Sequence, residues 1–285
     1  MTVRVAIIGA GIGAEHLAGY RALPDRYTVA TLCDLDVARA EAVVAGSEIA
    51  VTNAFESVLA DASIDLIDIC LPPHLHFEMS MAALKAGKHV VCEKPLCTSL
   101  RDADALATQA EASDKIVAPV FQYRYGPETE KLHRLMAAGL TGKPLVASLE
   151  THWHRDADYY AVPWRGTWAG EQGGAVLGHA IHAHDLLCTF FGPMARLSGF
   201  ATTRVNPIET EDCAALSFAM ENGALATSSI TLGAADDQTR LRFCFEGVTA
   251  ESGTAPYTPA QDPWTFTARG SVSQAEVDAL SLIHI

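Results

Sequence analysis

The hexapeptide Gly9-Ala-Gly11-Ile-Gly13-Ala14 constrains this chain more than any other feature, because of what flanks it. Residues 3–9 are a short apolar run rich in β-branched side chains, and over 13–23 the apolar positions fall at helical spacing. A glycine-rich turn between strand and helix fits the pattern G-x-G-x-x-G/A. Gly9 makes the tight turn, Gly11 lets the backbone come close to a pyrophosphate, and Ala14 keeps helix and strand close together. The helix start offers unpaired N–H groups and the positive end of its dipole to phosphate oxygens. Gly9, Gly11, Ile12 and Gly13 are therefore expected to bind a dinucleotide.

A second apolar run, 28–33, ends at Asp34. An acidic side chain about 20 residues past the glycines accepts both ribose hydroxyls of adenosine and repels a 2′-phosphate. No arginine follows at once, Arg39 being the nearest, so NAD is favoured over NADP. The competing role, a helix N-cap, fits Asp36 better.

The same alternation continues through the first 120 residues. Runs of strand length at 64–71, 89–92 and 116–121 are separated by helical patterns at 36–45, 74–86 and 100–112. Strands apolar on both faces and alternating with helices read as a parallel sheet covered on both sides. The expectation is an α/β Rossmann domain, doubly wound, over 1–123. From 124 to 285 the text changes: helices at 127–138 and 175–191, a strand at 146–152, then strands at 197–205, 214–220, 224–231 and 239–246. Glu221-Asn222-Gly223 is a hairpin turn, since Asn-Gly supplies positive φ. The second domain is thus expected to be α+β with a mostly antiparallel sheet.

Composition narrows the function. Lys plus Arg number 20 against 34 Asp plus Glu, a net charge of −14, which repels nucleic-acid backbones and anionic lipid. The seven cysteines are scattered with no CxxC pair, which argues against a zinc ribbon or a disulfide framework and fits a reducing compartment. The N-terminus reads as a strand rather than a signal peptide, and no stretch of 18 apolar residues occurs. A cytoplasmic location is expected. The last six residues, Leu280-Ser-Leu-Ile-His-Ile285, are what one frame of a transposon sequencing adapter's mosaic end encodes. They are expected to be a scar at 280–285 on a second domain cut short; the alternative is a genuine apolar C-terminus.

Ala86-Gly87-Lys88-His89-Val-Val-Cys92-Glu93-Lys94-Pro95 closes a strand with a charged pair. Ligands bind at the carboxyl ends of parallel strands, and a desolvated lysine there can lose pKa and serve as an acid or base. A surface Glu–Lys pair is the simpler reading of those two residues alone. Together with Leu71-Pro72-Pro73-His74-Leu75-His76, Ala83-Leu84-Lys85, the glycine turn and His16, this block resembles the Gfo/Idh/MocA (glucose–fructose oxidoreductase / inositol dehydrogenase) family.

The resemblance implies a nicotinamide-dependent oxidoreductase acting on one carbon of a sugar, cyclitol or polyol. It also implies a C-terminal domain whose open, mostly antiparallel sheet makes a homo-oligomer interface. It places Lys94 beside the reacting group, Glu93 near the nicotinamide ribose, and Pro72 and His76 along the cofactor cleft. Gln122 and Arg124 would lie near the nicotinamide and substrate, Arg124 having an ion pair between domains as its alternative. Pro73 stands where many members have Asn.

In the family a glycine turn opens a helix reading roughly Asp-x-Gly-x-His-x-x-Asp. Here it runs Gly173-Gly174-Ala-Val-Leu177-Gly178-His179-Ala180-Ile181-His182-Ala183-His184-Asp185. His182 takes the family histidine's place as Lys94's catalytic partner, and Gly178 stands where the proton-relay Asp belongs. His179, beside that gap, and His152 and His154 are candidate substrate ligands, set among Trp153, Tyr159, Tyr160, Trp164 and Trp168, whose rings suit sugar stacking or plain packing. Arg165 is a candidate for a cofactor phosphate. The spacing of His179, His182 and Asp185 raises a metal alternative, but the resemblance implies no metal. Two other functions stay open on the same scaffold: NAD-dependent glycoside hydrolysis, and non-catalytic NAD binding.

Overall fold

The computed structural model describes residues 2–280 and divides the chain into two compact units. The first comprises residues 1–120 and 169–172, the second 121–168 and 173–285. The division falls three residues before the break expected at 123/124. Residues 169–172 return to the first unit, where the Gly170 carbonyl meets His74 Nδ1 at 3.1 Å. Residues 281–285, all but the first of the suspected scar, lie outside the described residues.

In the first unit the strands β1 (Val3–Ile8), β2 (Tyr27–Cys33), β3 (Ala50–Thr52), β4 (Leu66–Ile69), β5 (His89–Cys92) and β6 (Val117–Pro119) form one sheet in the order β3-β2-β1-β4-β5-β6. Every pair is parallel. Helices α1 (Gly13–Arg21), α2 (Val37–Val44), α3 (Phe55–Ala60), α4 (His76–Lys85) and α5 (Leu100–Ser113) cover it. Alternate residues of β1 explain the two-sided burial: Val5 and Ile7 join one core with Leu17 of α1, while Ala6 and Ile8 join another with Ala83 and Leu84 of α4. This is the doubly wound parallel sheet expected from the apolar runs. Two short elements, β3 and α3, leave no signal in the sequence, because three- and six-residue pieces carry too little periodicity.

The second unit holds α6 (Pro127–Ala137), β7 (Pro144–His154), α7 (Ala175–Gly178), α8 (Ile181–Phe191), β8 (Met194–Thr202), β9 (Cys213–Met220), β10 (Leu225–Thr231), β11 (Gly233–Phe245), β12 (Val248–Glu251), β13 (Thr265–Ala268) and α9 (Gln274–Ala279). Its sheet runs β13-β12-β11-β7-β10-β9-β8, with β7–β10 the one parallel pair among them. The prolines at 256, 259 and 263 do not end it: β13 follows them and pairs with β12. The single helix expected over 175–191 is two, broken at His179-Ala180. Helix α8 packs Ala183, Leu186 and Leu187 on one sheet face with Ala147, Leu149 and Phe243. The opposite face carries exposed Phe200, Leu225 and Val146. No helix among the described residues is long and apolar enough to cross a membrane.

His184 packs edge-on against Phe218 of that core, its Nε2 3.0 Å from Ser228 Oγ, and burial pushes its pKa down to about 4. The folded chain therefore keeps it neutral while the unfolded chain protonates it near 6.5. Its contribution to stability is intact above that pH and is lost as pH falls toward 4, at up to ~1.4 kcal/mol per pH unit. His184→Asn is expected to narrow its stability deficit against wild type between pH 7.5 and 5 in urea unfolding. A deficit that stays constant would contradict this.

Candidate active site

The glycine turn sits where β1 ends. Gly9 has φ +103°, and a Cβ there would stand 2.3 Å from the Cys70 carbonyl oxygen at the end of β4, so no other residue fits. Gly11 differs: a Cβ on it would meet nothing within 4 Å. That open approach, and an α1 start at Ile12 with no side-chain cap, suit a pyrophosphate. The described residues fit a dinucleotide.

Asp34, buried at the end of β2, points back at the turn. Its Oδ2 accepts the Ala10 N–H at 2.6 Å and its Oδ1 the Asp36 N–H at 2.8 Å. Burial alone would raise its pKa, but these N–H groups and Arg39 hold it below the usual carboxylate range. Asp36 caps α2 as expected, accepting from Arg39 N. The fold adds that Arg39, one turn into α2, lays its guanidinium on both Asp34 oxygens at 2.8 and 2.9 Å.

Pro72 follows β4 at the same edge of the sheet, half-buried. His76 is a correction: it does not line a cleft, being fully buried with its ring nitrogens each 2.7 Å from the carbonyls of Leu71 and Pro95. It braces the loops after β4 and β5 against each other, because the start of α4 lies between them.

Glu93 and Lys94 follow β5 directly, and the Lys94–Pro95 bond is cis. The Glu93 Oε2 accepts the Lys94 N–H at 3.1 Å. His16, on α1, places Nε2 3.2 Å from Glu93 Oε1 and Nδ1 2.9 Å from Asp68 Oδ2. Asp68 is wholly buried in β4, and Cys70 stands beside it, its Sγ 3.3 Å from the same His16 nitrogen. Burial alone would lower the His16 pKa, but hydrogen bonds to Asp68, Cys70 and Glu93 push it up to about 12. The same contact with His16 and the Lys94 charge overcome burial and keep Glu93 ionised.

His16, Asp68 and Cys70 bring their ligand atoms within 4.8 Å of one another. Both ring nitrogens of His16 face carboxylates, Nδ1 towards Asp68 and Nε2 towards Glu93, where N–H groups can donate. The sequence left this network unread, although an aspartate inside the apolar run of a central strand was its visible signal.

In the second unit, Gly173-Gly174 is pinned by Glu211, whose carboxylate accepts Gly174 N at 3.1 Å and Val176 N at 3.0 Å and so caps α7. His182 is buried, stacked on Tyr123 at 4.8 Å with Phe121 edge-on at 6.1 Å. His179 is buried beside Trp153, its Nε2 3.3 Å from the Tyr159 hydroxyl. Gln122 is exposed.

Three expectations change in the second unit. His152 and His154 lie on the face of β7 opposite Trp153, since side chains alternate along a strand, so they do not join His179 and His182. His152 instead bonds Ser229 Oγ at 2.9 Å, and His154 is exposed. Arg124 is bidentate to Asp185 inside the unit, with Nε 2.7 Å from Oδ2, so its guanidinium is committed to an ion pair. Arg165 stacks over Tyr159 at 4.0 Å and donates to the Tyr159 carbonyl.

Residues 3–121 match the family model GFO_IDH_MocA, an oxidoreductase family with an NAD-binding Rossmann fold, and residues 129–251 match the GFO/IDH/MocA C-terminal domain. The chain belongs to this family. An uncharacterized oxidoreductase of Synechocystis is 28% identical over 249 residues, 80% of this chain and 65% of that protein. The D-glucoside 3-dehydrogenase of Escherichia coli is 28% identical over 188 residues, 64% of this chain and 52% of that protein. The chain thus spans between about half and two thirds of these relatives. The WlbA dehydrogenase of Bordetella pertussis, solved with NADH and UDP-GlcNAcA, shares the fold at TM-score 0.87 and 24% identity, over 99% of this chain and 86% of that one.

The two glycines separate folding from binding. Gly9→Ala is expected to unfold the protein or lower its melting temperature sharply. Gly11→Val should leave melting unchanged while weakening NADH binding about tenfold or more, read by fluorescence titration. Equal effects of both substitutions on melting would contradict the assignment of the open approach.

Proposed function

We propose that this protein transfers a hydride between NAD(H) and one carbon of a sugar, cyclitol or polyol, with Lys94 as acid/base and His182 as its partner. The observation that carries the reading is the Glu93-Lys94 pair. It follows β5 at the carboxyl edge of the Rossmann sheet and is tied through His16 to the helix that the dinucleotide turn opens. The D-glucoside 3-dehydrogenase among the relatives supports the substrate class.

The nicotinamide, when bound, supplies the hydride acceptor or donor. Lys94 takes the proton of the reacting hydroxyl in oxidation and returns it in reduction. Glu93, held ionised, stands beside Lys94, with the His16 charge on its far side. His182, seated among Phe121 and Tyr123, is the second proton-carrying group. We read Asp34 as selecting NAD over NADP, and the exposed sheet face bearing Phe200 as the surface where a second copy docks. The free thiols, none paired among the described residues, suit a cytoplasmic setting.

A second reading, NAD binding without turnover, draws on Gly178, which supplies no side chain where the family has its relay aspartate. Lys94→Ala decides between them. It is expected to cut polyol oxidation by about 10²–10⁴-fold with NADH affinity almost unchanged. Wild-type protein that binds NADH yet turns over no sugar or polyol would favour the second reading. Asp34→Ala should raise NADPH affinity relative to NADH in the same titration, since Arg39 is then freed for a 2′-phosphate; an unchanged ratio would remove Asp34 from that role.

A further inference from the structure

We infer that His16 is a positioning residue: an imidazolium bridging Asp68 and Glu93 that fixes the Glu93 carboxylate and, through it, the start of Lys94. Its importance for catalysis rests on the proposed role of Lys94, but the bridge itself does not.

The bridge follows from how α1 lies on the sheet. A Cβ on Gly13 would stand 2.8 Å from Ile7 Cγ2 and 3.4 Å from Cys70 Cβ, so only glycine lets the helix lie this close to β1 and the end of β4. His16 is three residues further, on the same helix face. From there one ring reaches two strands: Nδ1 meets Asp68 of β4 at 2.9 Å, and Nε2 meets Glu93 beyond β5 at 3.2 Å.

Asp68 makes the charge necessary. A carboxylate with no exposed surface in a central strand is strongly unfavourable unless a cation meets it. Among the described residues, the cation at salt-bridge distance from Asp68 is His16. The other titratable groups facing the ring are Cys70 at the end of β4 and Tyr20 on α1, whose ionisations burial and Asp68 push up, and Lys94 next to Glu93. With thiol and phenol neutral, His16 is the group whose charge meets both Asp68 and Glu93.

Both Glu93 oxygens are then assigned, Oε1 to His16 and Oε2 to the Lys94 N–H. Glu93 cannot turn without breaking one of these bonds, so the direction in which the chain leaves β5 is held from the helix of the glycine turn. Cofactor turn and acid/base residue share one rigid support.

Two measurements test the bridge, and neither needs turnover. In protein labelled with ¹⁵N-histidine, one of the eleven imidazoles should stay protonated at about pH 9 and vanish in His16→Gln. If all eleven titrate below about pH 8, the bridge is refuted whether or not the variant folds. The second is the acylation rate of the Lys94 amine by acetic anhydride, read by mass spectrometry in wild type, His16→Gln, Glu93→Gln and the double variant. Removing the cation should slow Lys94 acylation about threefold or more, and that effect should disappear in the Glu93→Gln background. An equal effect in both backgrounds, or none in either, overturns the positioning role. Turnover that survives Lys94→Ala would sink the acid/base reading while leaving both of these results to stand.

Discussion

The close contact of α1 with β1 and β4 is the constraint on which the first unit's site depends. It exists because Gly9 and Gly13 have no side chain to hold the elements apart. At Gly9 the missing Cβ lets the turn pass the Cys70 carbonyl, and at Gly13 it lets the helix settle on Ile7. Once α1 is seated there, its N-terminus faces an open approach for phosphates, and its buried face carries His16 into the sheet. One piece of packing therefore sets both the glycine turn and the residues after β5.

The second unit uses a different device. There a carboxylate, Glu211, holds the Gly173-Gly174 turn by three hydrogen-bonding contacts to backbone N–H groups. The short α7 that results ends at Gly178, and the chain steps through His179 and Ala180 before α8 resumes. That step breaks the simple i, i+3 relation that one continuous helix would give His179 and His182. His179 keeps company with Trp153 and Tyr159, and His182 with Phe121 and Tyr123. Arg124 and Asp185, each attractive as a ligand residue on paper, satisfy one another instead.

Legibility followed the strength of local signals. The parallel sheet was visible because its strands are buried on both faces and so read as unbroken apolar runs. The Asn222-Gly223 hairpin was visible because backbone conformation there is set by residue type, with Gly223 at φ +89°. Asp34 and the glycine turn were legible as a fixed spacing. The strand β13 was hidden behind prolines, and the break at His179-Ala180 was hidden because no proline marks it. His152 and His154 flank Trp153 in the sequence, but alternation along the strand sends them to the other face.

By itself the sequence determined the class of fold, the dinucleotide turn and the family, since each is written in contiguous stretches whose local chemistry admits few alternatives. Only the tertiary structure decided the partners: Arg39 on Asp34, Glu211 on the second glycine turn, and His16 between Asp68 and Glu93. The His16 bridge joins residues 52 and 77 positions apart. Such contacts are set by which strand lies next to which and by how close a helix can approach, and charge pairing across buried space leaves no periodic mark along the chain.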